Sequence, residues 1–329
     1  MKWCLVENEQ KNLLFNPQND ILRHKQTNQI DPKFAGVPKH DEMFRLSPEM
    51  PPMDPTQLYW NCLSDSKANK TMFSYVVKNN RAVENAELII CNTVHELEKP
   101  ALSYVPNILP VGPLLSGSRP NKPVGNFWQQ DTSCIEWLDK KPIKSVIYAA
   151  FGSYTIFNQD QFQELALGLE LTGRPFLWAV RPDLAGEDKS NLSDFIERVG
   201  DRGRIVGWCP QQQVLAHPSI ACFISHCGWN STLEGVMNGV PFLCWPYFCD
   251  QFFNQSYICD VWRVGMKMAA DENGIYAKEQ IRSKVEELVS DVGIKERSMA
   301  LKEMTRRSLE EDGSSFKNFN DFIDLILGV

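Results

Sequence analysis

The chain has 329 residues, 43% of them hydrophobic and 23% charged, with a formal net charge of −7 and an isoelectric point near 5.4. A length of this order suits about two domains, each able to bury a core. The acidic balance and scattered basic residues exclude a surface built to track phosphates, so no nucleic-acid partner is expected.

Taken in order, residues 1–36 are polar and rich in Asn, Gln and Lys, and read as a poorly defined segment: loop, frayed helix or a stretch that does not fold. The opening Met1–Glu9 lacks the apolar stretch of a signal peptide. Nowhere does an apolar run reach the roughly 18 residues of a membrane-spanning helix, so a cytoplasmic protein with no membrane span is expected. Pro38, Pro48, Pro51, Pro52 and Pro55 mark an extended connection. Thr71–Val83 has helical spacing, and strands follow at Glu87–Asn92 and Asn107–Val111. Residues 115–131, rich in Gly, Pro, Ser and Asn, read as an interdomain linker.

Strand–helix alternation then begins. Cys134–Asp139 is a short helix, Ser145–Phe151 a buried strand, Gln159–Thr172 a helix and Pro175–Val180 a strand. Arg204–Val206, Ala221–Ser225 and Pro241–Trp245 continue the strands, with helices at Ser231–Asn238 and Asn254–Val261. Such alternation predicts an α/β domain with a parallel sheet covered on both faces, and a ligand at the carboxyl ends of its strands. Helices Lys278–Ser290 and Glu296–Leu309 follow. A last amphipathic helix, Phe316–Leu327, carries Phe319, Phe322, Ile323 and Ile326 on one face.

The ten cysteines contain no C-x-x-C. The pairs Cys222/Cys227 and Cys244/Cys249 lie in apolar runs, so reduced, buried thiols are expected rather than disulfides or a metal site.

Chemistry concentrates at Ile224–Gly235. An apolar strand runs into a glycine-containing turn, and Asn230-Ser231-Thr232 then opens a helix, with Asn or Ser expected as its N-cap. A helix N-terminus with free N–H groups favours an anion, here a diphosphate. His226 can donate a hydrogen bond to it, and the turn Phe151-Gly152-Ser153 ends a strand facing the same crevice. No G-x-G-x-x-G follows a first strand and no P-loop motif is present, so dehydrogenase and P-loop chemistries have no support.

The longer arrangement from Trp208-Cys209-Pro210-Gln211, through His226-x-Gly228-Trp229-Asn230-Ser231 and Glu234, to Asp250-Gln251 resembles the signature of plant secondary-product UDP-glycosyltransferases. The likeness runs from about residue 37 to the end, and is strongest to the 83A-like group. It implies a GT-B fold of two facing Rossmann-like domains. Residues 37–114 would be a remnant of the acceptor domain, 132–310 the UDP-sugar domain, and 311–329 a helix packing back toward the N-terminal domain.

The resemblance further implies that Trp208 stacks on uracil while the Cys209 main chain meets the base edge. Gln211 and Glu234 would hold the ribose; Ser153, His226, Asn230 and Ser231 the diphosphate; Trp229, Asp250 and Gln251 the sugar. Gln251 is similar to enzymes that prefer UDP-glucose. The implied partners are a UDP-sugar donor and a small-molecule acceptor, with no cofactor or metal. The reaction expected is inverting transfer of glucose to a hydroxyl. Its general base, a histidine in a Gly-His turn after an opening strand, has no match among His24, His40, His95, His217 and His226. No catalytic residue is therefore identified, and a non-catalytic UDP-sugar-binding chain stands as the alternative. Residues 37–114 on their own are expected to leave strand edges unpaired.

Overall fold

A computed structural model describes residues 4–6, 43, 45, 47–62, 65–83, 86, 88–103, 107–114, 128–181 and 189–328. In a small sheet, β1 (Cys4–Val6) runs antiparallel to β2 (Ile89–Cys91), which pairs parallel with β3 (Ile108–Pro110). Helix α1 (Ser66–Val83) precedes β2, and α2 (His95–Leu102), kinked at Glu98 ahead of Pro100, links β2 to β3. The expected loop or frayed helix at the N-terminus is thus corrected at Cys4–Val6. Those three residues form a strand along one edge of β2, while β3 keeps an edge with no partner among the described residues, as expected for residues 37–114.

The second sheet comes from the alternating region. Its elements are α3 (Ser133–Asp139), β4 (Val146–Ala150), α4 (Gln159–Leu171), β5 (Phe176–Ala179), α5 (Lys189–Val199) and β6 (Gly203–Val206). They continue with α6 (Gln211–Ala216), β7 (Ile220–Ser225), α7 (Trp229–Asn238), β8 (Phe242–Cys244), α8 (Gln251–Ser256) and β9 (Gly265–Lys267). The strands lie in the order β6-β5-β4-β7-β8-β9, all parallel. Chain order therefore reverses between β4 and β7, which opens a crevice beyond their carboxyl ends.

Both faces of this sheet are covered, which is why its strands read as continuous apolar runs. Val146, Tyr148 and Phe223 join one core with Leu233 and Val236 of α7. The alternate residues Ile147, Ala149 and Ile224 join another with Leu165 and Leu169 of α4. Helices α9 (Lys278–Ser290), α10 (Val292–Ser308) and α11 (Ser314–Leu327) close the chain. A third core packs Met50, Leu58, Tyr59 and Trp60 of the N-terminal half against Phe253 and Tyr257.

Besides β1, four elements escaped sequence reading: α2, α5, α6 and β9. Six-residue α6 and three-residue β9 are too short to show a period. The expected helix Asn254–Val261 is instead α8, continued by a π-helical turn over Tyr257–Val261. On α11, Phe319 and Ile326 remain 43% and 44% exposed, while Phe322 and Ile323 are half-buried. That helix touches the small sheet through Asn318, whose Nδ2 donates to the Pro110 carbonyl at 2.9 Å. Among the described residues no helix is long and apolar enough to cross a membrane.

Candidate functional site

The crevice between β4 and β7 gathers the sequence-derived residues. Ala150 and Ser225 are register partners at the strand ends. The chain leaves β4 through Gly152-Ser153 and leaves β7 through His226-Cys227-Gly228. Between these turns the His226 ring is held at close quarters: a Cβ on Gly152 would lie 2.6 Å from its Nε2, and one on Gly228 only 2.3 Å. Gly152 also takes φ +69°, in the left-handed region. Two glycines are therefore required for the imidazole to sit there.

Burial lowers the His226 pKa to about 4, against a weaker upward pull from the Asp250 charge. The ring is neutral at pH 7 and retains one N–H. Its Nδ1 is buried with no protein partner, and an orphaned buried polar atom of this kind suits a ligand contact.

Helix α7 begins two residues earlier than expected, at Trp229. Gly228 is its N-cap and no side chain caps it; Asn230 and Ser231 sit in the first turn rather than capping it. The N–H groups of Trp229, Asn230 and Ser231 thus open the helix toward the crevice, the arrangement that binds anions.

A second group of side chains is tied together before any ligand arrives. Gln211, at the start of α6, donates through Nε2 to Glu234 Oε2 at 2.6 Å and to Ser231 Oγ at 2.8 Å. Gln212 Nε2 donates to Glu234 Oε1 at 3.1 Å, and the Tyr148 hydroxyl donates to Gln211 Oε1 at 2.9 Å. Desolvation raises the Glu234 pKa, while the hydrogen bonds from Gln211 and Gln212 pull it back. A fixed carboxylate presenting acceptor lone pairs suits a vicinal diol.

Trp208 is half-buried beside this network, its ring 5.0 Å from that of Trp128 and inclined by 40°. Cys209 lies beneath, its thiol 3.3 Å from the Tyr148 hydroxyl. On the other flank, Asn254 Nδ2 donates to Asp250 Oδ2 at 2.8 Å. Gln251 Oε1 accepts from the Tyr247 and Phe248 N–H groups at 2.8 and 3.1 Å. Its amide NH2 is the donor left for a ligand.

Trp229 is placed differently from the other site residues. Its indole is 1% exposed, and Nε1 donates to the Asn92 carbonyl of the N-terminal half at 2.6 Å. Only its main chain is available to the crevice. Sequence reasoning missed the supporting residues Tyr148, Gln212 and Asn254, and also Arg181, whose Nη1 donates to the Ser153 carbonyl. The one signal for Arg181 was a charge directly after the apolar strand Pro175–Val180.

A family model for UDP-glucoronosyl and UDP-glucosyl transferase matches residues 57–308. The chain belongs to this UDP-glycosyltransferase family. UDP-glycosyltransferase 83A1 of Arabidopsis thaliana is 41% identical over 295 residues, which cover 88% of this chain and 61% of that protein. UDP-glycosyltransferase 74D1 of the same plant is 37% identical over 300 residues, covering 85% and 64%. The chain thus spans less than two thirds of the length of these curated relatives.

Among solved structures, a UGT from Siraitia grosvenorii in complex with UDP superposes with a TM-score of 0.79 at 27% identity, covering 94% of this chain and 74% of that one. Phytolacca americana UGT2, complexed with UDP-2fluoro-glucose and pterostilbene, gives 0.75 at 29%, covering 93% and 68%. The α/β fold is that of the GT-B UDP-glycosyltransferases, and the crevice described above lies in its Rossmann-like C-terminal domain.

Proposed function

We propose that this UDP-glycosyltransferase chain binds UDP-glucose in the β4–β7 crevice and, with a general base, transfers glucose with inversion to a hydroxyl of a small lipophilic metabolite. The observation that carries the reading is Glu234, held by Gln211 and Gln212 beside the open N-terminus of α7. Diol acceptor and anion cradle then lie one helical turn apart, as a nucleoside diphosphate requires. Trp208 offers its ring to uracil beside the face met by Trp128. Asn230, Ser231, Ser153 and neutral His226 meet the diphosphate. Asp250, the Gln251 amide NH2 and the Trp229 N–H meet the sugar.

In this reading UDP departs as an anion stabilised by helix N–H groups and by His226, so the reaction calls for no metal. Retained UDP affinity in the presence of a chelator is the expected result. The acceptor class is supported by likeness to Phytolacca americana UGT2, which was captured with pterostilbene.

A second reading is favoured by the histidines. His95 is exposed at the start of α2. His217 is bound to Ser219 Oγ at 2.7 Å and Asp139 Oδ1 at 3.1 Å, beside the opening end of β7. His226 is enclosed between two glycines. Among the described residues no histidine is thus placed to deprotonate an acceptor, and His24 and His40 lie outside them. The chain would then bind UDP-sugar and transfer glucose slowly or not at all.

Calorimetry with UDP, UDP-glucose and UDP-galactose tests the binding: UDP binding with a preference for the glucose donor is expected, and no heat from folded protein at millimolar UDP would overturn it. A radiolabelled transfer assay on a phenolic panel separates the readings, because rapid turnover removes the second.

A further inference from the structure

Outside the nucleotide cradle, two cysteines from distant parts of the sequence meet at the seam between the halves. Cys62 follows the segment that packs Leu58, Tyr59 and Trp60 into the third core. Cys249 directly precedes Asp250-Gln251. The Cys249 main-chain N–H donates to Cys62 Sγ at 3.0 Å, which brings the Cys62 sulfur against the Cys249 backbone.

We propose that Cys62 and Cys249 form a reversible disulfide, a redox modification site that ties the N-terminal half to the sugar end of the donor crevice and weakens the grip on the donor's sugar. The effect on sugar rests on the donor-site reading above; the disulfide does not.

Three properties single out this pair. Cys62 is half-buried, so a small oxidant can reach it. Hydrogen bonding to Cys249 lowers its pKa to about 7 against the desolvation of its half-buried site, which favours the reactive thiolate. Cys249 is pushed upward by the same hydrogen bond and stays a thiol until its proton is removed. By contrast Cys134 and Cys209 are both buried. Cys244 lies 3.6 Å from Cys259, but that pair sits wholly within the C-terminal half and spans no seam.

With oxidised glutathione as the oxidant, the Cys62 thiolate attacks one of its sulfurs and expels one glutathione thiolate, leaving a mixed disulfide. Cys249 then loses its proton, attacks the Cys62 sulfur and expels the second glutathione. Two electrons pass from the protein pair to glutathione, and two glutathione thiols are released.

Closing the bond fixes Cys249, which already holds φ +59°, and displaces the adjoining Asp250 and Gln251. Donor affinity should fall by about fivefold, the worth of one hydrogen bond, with UDP affinity unchanged.

The test treats the whole chain with oxidised glutathione, maps disulfides by mass spectrometry, and titrates UDP and UDP-glucose before and after. A Cys62–Cys249 cross-link reversed by dithiothreitol, absent from Cys62→Ser and from Cys249→Ser, is expected. Stable glutathionylation of Cys62, or no cross-link in the native chain, overturns the proposal without recourse to any variant. A cross-link that leaves UDP-glucose affinity unchanged overturns the control of the sugar. Reduced protein that binds no UDP counts against the donor site, while the mass map still decides the disulfide.

Discussion

Single side chains in the crevice make separable contributions. Trp208→Ala should weaken UDP binding about 10-fold, since stacking of a base on an aromatic ring is worth roughly 1–3 kcal/mol; unchanged affinity by calorimetry would remove the uracil assignment. Glu234→Ala should cost a comparable amount for UDP but little for 2′-deoxy-UDP, so the preference between them collapses. His226 governs a pH effect. Its folded pKa of about 4 lies below the ordinary 6.5, so the unfolded chain binds more protons between these values. The stability that neutral His226 represents is complete above pH 6.5 and is lost as pH falls toward 4, by no more than about 3 kcal/mol. Glu234, raised above 4.5 by desolvation, gives the opposite slope from 4.5 up to its folded pKa. Replacing His226 by Gln isolates the histidine's share in acid unfolding curves; an unchanged curve would count against it.

At the scale of elements, most strands and helices of the C-terminal half, though not α5, α6 or β9, were legible because each is a short apolar run or an amphipathic period between breakers. The start of α7 was not. Asn230 and Ser231 are good caps by residue type, yet the helix extends back to Trp229, whose indole must reach the Asn92 carbonyl. A contact across 137 residues leaves no local trace. The candidate residues of the crevice were named through family likeness, while their neighbours Tyr148 and Arg181 became visible only once strands separated in sequence lay side by side. Gly152 and Gly228 read as turn residues; their close approach to His226 emerged only from the fold. Gly152→Ala places a Cβ against the ring at a left-handed φ. It should lower stability by about 1–2 kcal/mol and weaken UDP binding, whereas Gly173→Ala, with open space around it, should lower stability alone. Thermal unfolding with and without UDP distinguishes the two.

Across the whole molecule, the halves are joined by the third core and by the Trp229 bond to Asn92. Trp229→Phe keeps the ring but strands the carbonyl, which should cost about 1–3 kcal/mol and lower the melting temperature by several degrees. A variant as stable as the parent would show that the tie contributes nothing. The exposed Phe319 and Ile326 of α11 lie on the face whose burial the sequence suggested. A helix's apolar period shows which side is sticky without showing what is near enough to cover it.

The Trp229–Asn92 bond has a further consequence. On the N-terminal side the acceptor atom is a main-chain carbonyl, which every amino acid supplies. The joint therefore draws only on the backbone at residue 92, whose side chain is engaged elsewhere, its Oδ1 accepting from the Leu114 N–H at 2.7 Å. The bond itself survives side-chain changes along that backbone, while the third core still needs the apolar side chains of Met50, Leu58, Tyr59 and Trp60. A chimera that preserves the β2-to-α2 backbone together with those apolar side chains should therefore keep the seam.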